Sequence, residues 1–294
     1  MPCIEIENLT HIYFPGTPLE TAALQQISLA VDQGETIALL GATGSGKSTL
    51  VRHLNGLLAP TTGRVRILDG DVADKKFRRQ LWRRVGLVFQ FPERQIFSAT
   101  VYEDIAFGPR NIGVIGTALS ERVSQAAQTV GLPDELLQTD PAELSGGMRR
   151  RAAIAGVLAM RPEILILDEP GAGLEPRARE IILQQVKELQ RVQGTTVILI
   201  THHLDDAALY ADRLVLLQKG RLLAAGPTGE ILSRYDLLDE ADLEPPFTVE
   251  LTRRLAAEGL NLPQTPLNPA EAARLLAPLL KCVKGTVPLA HKKT

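Results

Sequence analysis

The apolar pentad Thr36–Leu40 (TIALL) runs directly into GATGSGKST at Gly41–Thr49, and a helical stretch then covers Ser48–Leu58. A short buried strand, a glycine loop and a helix in immediate succession confine the chain to α/β folds, in which a parallel strand hands over to a crossover helix. The same order carries a chemistry. Gly41, Gly44 and Gly46 let the backbone wrap tightly with its N–H groups turned inward, and the helix N-terminus adds free donors and a favourable dipole. Such a loop cradles the phosphates of a nucleoside triphosphate, and Ala42, Thr43 and Ser45 complete its wall. Lys47 is placed to meet the β- and γ-phosphates, Ser48 offers its hydroxyl to Mg²⁺, and Thr49 buttresses the loop. A plain glycine turn with Lys47 as a solvated charge is the bland alternative, and it leaves the strand and helix on either side without a reason.

A second strand, Ile164–Leu167, ends on Asp168 and Glu169. Asp168 suits Mg²⁺, and Glu169, one residue further on, can face the γ-phosphate and polarise the attacking water. Taken alone, Asp-Glu-Pro is as readily a strand-ending turn; the phosphate loop upstream tips the balance. Two more apolar strands lead to polar residues: Val85–Phe89 to Gln90, and Thr196–Ile200 to His202 and His203. Gln90 can reach both Mg²⁺ and water, and a histidine at a strand end can donate to a γ-phosphate. Spacing does not choose between His202 and His203, and without the phosphate loop all three would pass as ordinary surface residues.

In order and spacing these segments resemble the nucleotide-binding subunit of an ABC transporter over roughly residues 3–232. Gly41–Thr49 matches the family's Walker A, Gln90 its Q-loop, LSGGM at Leu144–Met148 its signature, Leu165–Glu169 its Walker B, Ala172–Pro176 its D-loop, and His202 its switch histidine. More narrowly the chain is similar to the ATPase subunits of energy-coupling factor (ECF) importers. That likeness rests on IYFPGTPLETAAL at Ile12–Leu24, FQFPERQIFSATVYEDIAFGPRNIG at Phe89–Gly113 and MRRRAAIAGVLAM at Met148–Met160.

The resemblance implies a head-to-tail pair in which ATP is held between one domain's Walker A and the other's signature. Ser145 and Gly147 would then touch the γ-phosphate held by the partner, and Tyr13 would stack on adenine. From the residues alone, LSGG before a helix is either an anion-accepting N-terminus or a simple N-cap serine, and Tyr13 is equally a core tyrosine. Three positions depart from the family pattern: Met148 replaces the signature glutamine, Glu175 the D-loop aspartate, and Gly171 the serine or threonine after DEP. None touches Lys47, Glu169 or His202, so hydrolysis is expected, and pairing with a non-identical ATPase fits the changes.

By resemblance the chain is an ATP-hydrolysing subunit, using ATP and Mg²⁺, of an importer for vitamins or metal ions selected by a separate substrate-binding membrane subunit. Its other partners would be a second ABC ATPase, paralogous or identical, and a transmembrane coupling subunit. Its place would be peripheral, on the cytoplasmic side of the cell membrane. A dedicated cobalt or nickel transporter is the neighbouring reading. A soluble ABC ATPase acting on ribosomes or DNA is the rival from another class; such proteins carry fused cassettes, a coiled coil or a basic arm, which this sequence lacks. A net charge of −2 argues against a nonspecific nucleic-acid grip. No run of 18 apolar residues suggests a membrane span. The first residues lack a leader's basic and apolar regions, and Cys3 and Cys282 suggest neither a disulfide framework nor a metal site.

The expected architecture is a P-loop ABC ATPase core with a mostly parallel sheet over 3–228, including a helical subdomain at about 91–160. A helical extension at 229–285 and a disordered tail at 286–294 follow. Strands are expected at Ile4–Leu9, Gln26–Val31, Thr36–Leu40, Arg64–Leu68, Val85–Phe89, Ile164–Leu167, Thr196–Ile200 and Arg213–Leu217, and helices at Thr117–Val130, Glu143–Met160, Ile231–Asp239, Phe247–Glu258 and Pro269–Leu280. Five of the twelve aromatic residues fall between Phe89 and Phe107. With Ile96, Val101 and Ile105 they read as a docking face for a membrane subunit, or else as the core of the helical subdomain. The extension is expected to help hold two ATPase subunits together, or to cap the edge of the core.

Overall fold

The computed structural model describes residues 2–283. In chain order its elements are β1 (Pro2–Tyr13), β2 (Thr21–Asp32), β3 (Thr36–Leu40), α1 (Lys47–Leu54), β4 (Thr62–Ile67), β5 (Gly70–Asp71), α2 (Lys75–Arg78) and β6 (Val85–Val88). Then come α3 (Val101–Asn111), α4 (Gly116–Thr129), α5 (Gly146–Leu158), β7 (Ile164–Asp168), α6 (Pro176–Gln193), β8 (Thr196–Ile200), α7 (Leu204–Tyr210) and β9 (Arg213–Gln218). The rest is β10 (Arg221–Pro227), α8 (Thr228–Ser233), α9 (Tyr235–Glu240), α10 (Phe247–Ala257) and α11 (Pro269–Val283). The segment 286–294 lies outside the described residues.

Alternation along the central strands sets the layers, because successive side chains leave a strand on opposite faces. Ile37, Leu39, Ile164, Ile166, Ile198, Ile200, Val215 and Leu217 share one core with Leu50, Val51 and Leu54 of α1 and with Ile4, Ile6, Leu24 and Ile27. Leu165, Leu167, Val197 and Leu199 leave by the other face, into a core with α3, α4, α5 and α6. Ala38, Leu40, Leu214 and Leu216 take that second face too, but pack with Leu204, Ile231, Leu232, Leu238 and Val249. Strands buried on both faces read as continuous apolar runs, which is why the sequence shows them so clearly.

These strands form a six-stranded sheet of order β10-β9-β3-β8-β7-β6. Its β9-β3-β8-β7-β6 pairs are parallel, with Ile37 opposite Ile198 and Leu165 opposite Val197, and only β10 runs antiparallel. The sequence reading of a mostly parallel sheet holds for this layer. It missed β5 and β10 and the separate four-stranded antiparallel sheet β2-β1-β4-β5, where β1 and β2 are twice the expected length. Their outer halves are polar or exposed, so a pattern sought in apolar residues ends too early. The helix expected over Ile231–Asp239 is two short ones, broken at Arg234.

A parallel sheet brings the carboxyl ends of its strands to one edge, and in open α/β sheets ligands bind there. The glycine loop leaves β3 at that edge, Asp168 ends β7, Gln90 follows β6 and His202 follows β8. Residues scattered over more than 160 positions meet for that reason.

Candidate functional site

The loop between β3 and α1 takes its shape from glycines that nothing else can replace. A Cβ at Gly41 (φ 143°) would stand 2.1 Å from the Leu217 carbonyl oxygen, and one at Gly46 (φ 106°) would stand 2.8 Å from that of Ala23. Gly46 is the N-cap of α1 and offers no side chain to the free N–H groups of the first turn, which also holds no acidic residue. Those donors and the positive end of the helix dipole face the loop's concavity. Ser45 is buried inside the turn, its N–H donating to Ala42 O at 3.1 Å, while Ala42, Thr43, Gly44 and Ser48 are exposed. Lys47 Nζ folds back on the loop, donating to Gly41 O at 2.6 Å and Ala42 O at 3.0 Å.

An open cleft of about 670 Å³ runs past this loop, lined by Tyr13, Thr43, Gly44, Gly46, Lys47, Ser48, Thr49, Gln90, Asp168 and Glu169. Ala22, Ala23, Lys219 and Gly220 complete the wall and escaped the sequence reading. Lys219 and Gly220, both at positive φ, form the tight hairpin between β9 and β10; a residue–glycine pair between two strands was the available signal. Tyr13 ends β1, half-buried, with its hydroxyl 3.3 Å from that of Thr49 and its ring edge-to-face with His11. Behind it lies a buried pair: His53 Nε2 is 3.2 Å from His11 Nδ1, and His53 Nδ1 is 2.8 Å from Thr49 O. A carbonyl only accepts, so His53 carries its proton on Nδ1 and accepts at Nε2 from His11. Burial pushes the pKa of His53 down to about 4.

On the acidic side, burial raises the pKa of Asp168 and the neighbouring Glu169 raises it further, against Lys47 and Arg52. Burial likewise lowers that of Lys47, against the pull of Glu169 and Asp168. Glu169 Oε2 accepts from Gln90 Nε2 at 3.0 Å, and Oε1 lies 3.3 Å from His202 Nδ1. The histidine that reaches Glu169 is therefore His202. His203 caps α7, its ring 4.1 Å from that of His202 and its pKa lowered chiefly by burial.

Ser145 and Gly147 are not among the residues lining this cleft. Ser145 caps α5, its hydroxyl accepting from Met148 N at 3.3 Å, and Ser145 and Gly146 are exposed. The departures from the family pattern have local explanations at two places. Met148 packs half-buried against the second core, and Gly171 leaves room for the stem of Arg179, whose Nε reaches the Asp206 carboxylate at 3.4 Å. Glu175 is an exposed N-cap that makes no cap hydrogen bond. The aromatic stretch divides. Val101 and Ile105 are wholly buried, whereas Phe97 is 68% and Phe107 47% exposed, their rings edge-to-face at 4.9 Å.

A phosphate loop, a strand-end carboxylate pair and a signature helix on this sheet define an ATP-binding cassette. The ABC transporter family model matches residues 24–172. The energy-coupling factor transporter ATP-binding protein EcfA2 of Clostridium perfringens is 43% identical over 281 residues, covering 95% of this chain and 98% of that protein. Among solved structures, CbiO1 of the same organism, described as part of the ABC transporter complex CbiONQ, is 35% identical with a TM-score of 0.73 and covers 86% of this chain and 99% of its own. A dimeric ATP-binding cassette bound to ADP and Pi is 28% identical with a TM-score of 0.71, covering 76% of this chain and 98% of its own. The chain belongs to the ATP-binding subunits of energy-coupling factor ABC transporters. It is an ATPase of an ECF-type importer, and its hydrolysis of ATP is coupled to transport.

Proposed function

We propose that this chain hydrolyses MgATP only when it closes head to tail on a second ABC ATPase, and that a transmembrane coupling subunit docks on it. The observation that carries this is the division of the phosphate-binding parts. One cleft gathers Lys47, Ser48, Gln90, Asp168 and Glu169, while the anion-ready N-terminus at Ser145 lies outside its lining and open to a partner. A pair of such chains supplies each ATP with both halves, and the dimeric cassette solved with ADP and Pi is consistent with that arrangement.

In the closed pair Tyr13 faces adenine, and the N–H groups around Gly41–Thr49 hold the phosphates. Lys47 exchanges the Gly41 and Ala42 carbonyls for phosphate oxygens. The Ser48 hydroxyl, the Asp168 carboxylate and the Gln90 carbonyl are hard oxygen donors that fit Mg²⁺, and all three residues line the one cleft. When bound there, Mg²⁺ would supply positive charge against the phosphates. Glu169 orients and polarises the attacking water, Gln90 fixes its carboxylate, and His202 turns from Glu169 to the γ-phosphate. Phosphate release reopens the pair, and the docked membrane subunit converts the two populations into work.

The docking surface is Phe97 with Phe107, an exposed aromatic pair on the helical side of the molecule. Among the described residues no helix is long and apolar enough to cross a membrane, so attachment to the cytoplasmic face runs through this partner. A separate membrane subunit selects the substrate, a vitamin or a metal ion. The second reading is a transporter dedicated to one substrate, such as cobalt or nickel. A mild-detergent pull-down of the native complex tests both. One coupling subunit with several substrate-binding subunits supports the shared importer, and one fixed set supports the dedicated transporter. Recovery with neither, bound to ribosomes, refutes the membrane assignment.

A further inference from the structure

One buried guanidinium touches three segments that must act together. Arg150 lies on α5, five residues after Ser145, and is 3% exposed. Its Nη2 donates to the backbone carbonyl of Glu169 at 2.9 Å, its Nη1 donates to that of Ala172, and its charge sits 5.9 Å from the ring centre of Phe91, beside Gln90. The carboxylates of Glu93 and Glu169 hold that charge in place against burial. Glu169 itself has φ 49°, in the left-handed region, which a non-glycine residue keeps only where its surroundings over-determine it. Its N–H donates to Ile200 O at 3.0 Å, so β8 holds one side of the residue and Arg150 the other.

We propose that Arg150 is a positioning residue for hydrolysis: its guanidinium clamps the Glu169 and Ala172 carbonyls and thereby sets where the Glu169 carboxylate points. The proposal rests on reading Glu169 as the hydrolytic carboxylate. It also gives the two ATP sites of a closed pair a mechanical link. Ser145 begins the helix that carries Arg150, so the helix end that faces the partner's ATP is rigidly joined, over about 7 Å of helix, to the carboxylate serving this chain's own ATP. A guanidinium suits the task because its rigid planar fork aims separate N–H groups at the two carbonyls, whereas an ammonium is a point charge on a flexible stem.

The test uses the assembled transporter with Arg150→Gln or Arg150→Lys in this chain alone. ATP affinity and thermal unfolding are measured beside turnover. Arg150→Gln should lower kcat about tenfold or more with KM for ATP within about twofold, since a misdirected catalytic group costs rate and not ground-state binding. Arg150→Lys should recover part of the loss. In a Glu169→Gln background, Arg150→Gln should lower kcat no further, because a residue acting through another is silent once that one is gone. Wild-type kcat in both Arg150 variants, with Glu169→Gln inactive, overturns the proposal alone. A multiplied loss in the double variant also overturns it. Full turnover in a complex whose ATPases all carry the glutamine overturns the underlying reading and the proposal with it. If Arg150→Gln fails to fold, Arg150→Lys decides: kcat falls with KM held, or the proposal is wrong.

Discussion

Gln90 Nε2 donates to Glu169 Oε2 at 3.0 Å although 79 residues separate them in the chain. His202 Nδ1 stands 3.3 Å from the other oxygen of the same carboxylate. Glu169→Gln keeps the shape and removes the charge that, on the proposed reading, polarises water. Turnover of the assembled complex should fall about 100-fold or more while ATP still binds, and the closed pair should accumulate. His202→Ala should also cut turnover. Wild-type hydrolysis by a complex whose ATPases all carry the glutamine would remove Glu169 from the mechanism, and a loss confined to His203→Ala would move the role to His203.

On the proposed reading, Tyr13 holds the base of the nucleotide and Lys47 its phosphates. Tyr13→Ala should weaken ATP binding by about 1–3 kcal/mol, the worth of a base stacked on an aromatic ring, and leave the phosphate grip intact. Lys47→Ala should weaken both ATP and ADP or misplace the phosphates so that turnover fails. Titration of a fluorescent ATP analogue reads both; unchanged affinity in Tyr13→Ala returns that ring to the hydrophobic core.

Phe97 and Phe107 are exposed, so charge there is tolerated until a partner covers it. Phe97→Asp should leave the thermal unfolding of the isolated chain within about 0.5 kcal/mol of wild type. At an aromatic anchor of an interface it should cost about 2 kcal/mol or more, roughly thirtyfold in affinity for the coupling subunit. Membrane fractionation of cells expressing the whole transporter measures it, and undiminished membrane recovery of a Phe97→Asp, Phe107→Asp double variant would place the docking face elsewhere.

His53 sets a stability that depends on pH. Its folded-state pKa is pushed from 6.5 to about 4 by burial, so the unfolded chain binds the proton first. Stability is therefore whole above pH 6.5 and is lost as pH falls from 6.5 towards 4. The loss amounts to about 2 kcal/mol at pH 5, with His11 titrating in concert. His53→Asn, whose amide reaches Thr49 O, should be less stable at pH 8 yet lose less on acidification. Thermal melts from pH 8 to 5 decide it; parallel curves for the two proteins would assign the acid sensitivity to other groups.

Much of this was legible in the sequence because it is local. A strand, a glycine loop and a helix are adjacent in the chain, and so are an apolar strand and the Asp168–Glu169 pair that ends it. Strands buried on both faces announce themselves as apolar runs, so the parallel layer was readable, whereas the half-exposed β1 and β2 and the small β5 were not. The aromatic stretch could be marked as one unit, but its division could not: Val101 and Ile105 turn inward while Phe97, just before α3, and Phe107 on it turn out, and only tertiary packing sets that division.

The sequence by itself determined the phosphate loop, the strand-end carboxylates and the alternation that builds a doubly covered sheet, since each follows from side-chain type at short spacing. The tertiary structure alone decided that Gln90 and His202, and not His203, meet Glu169, because strand order brings their carboxyl ends to one edge. It alone placed Arg150 under the Glu169 carbonyl and His53 behind Tyr13. Those contacts span distances along the chain that no local pattern encodes, and they exist because burying the apolar faces of the sheet leaves the polar groups one geometry in which to satisfy each other.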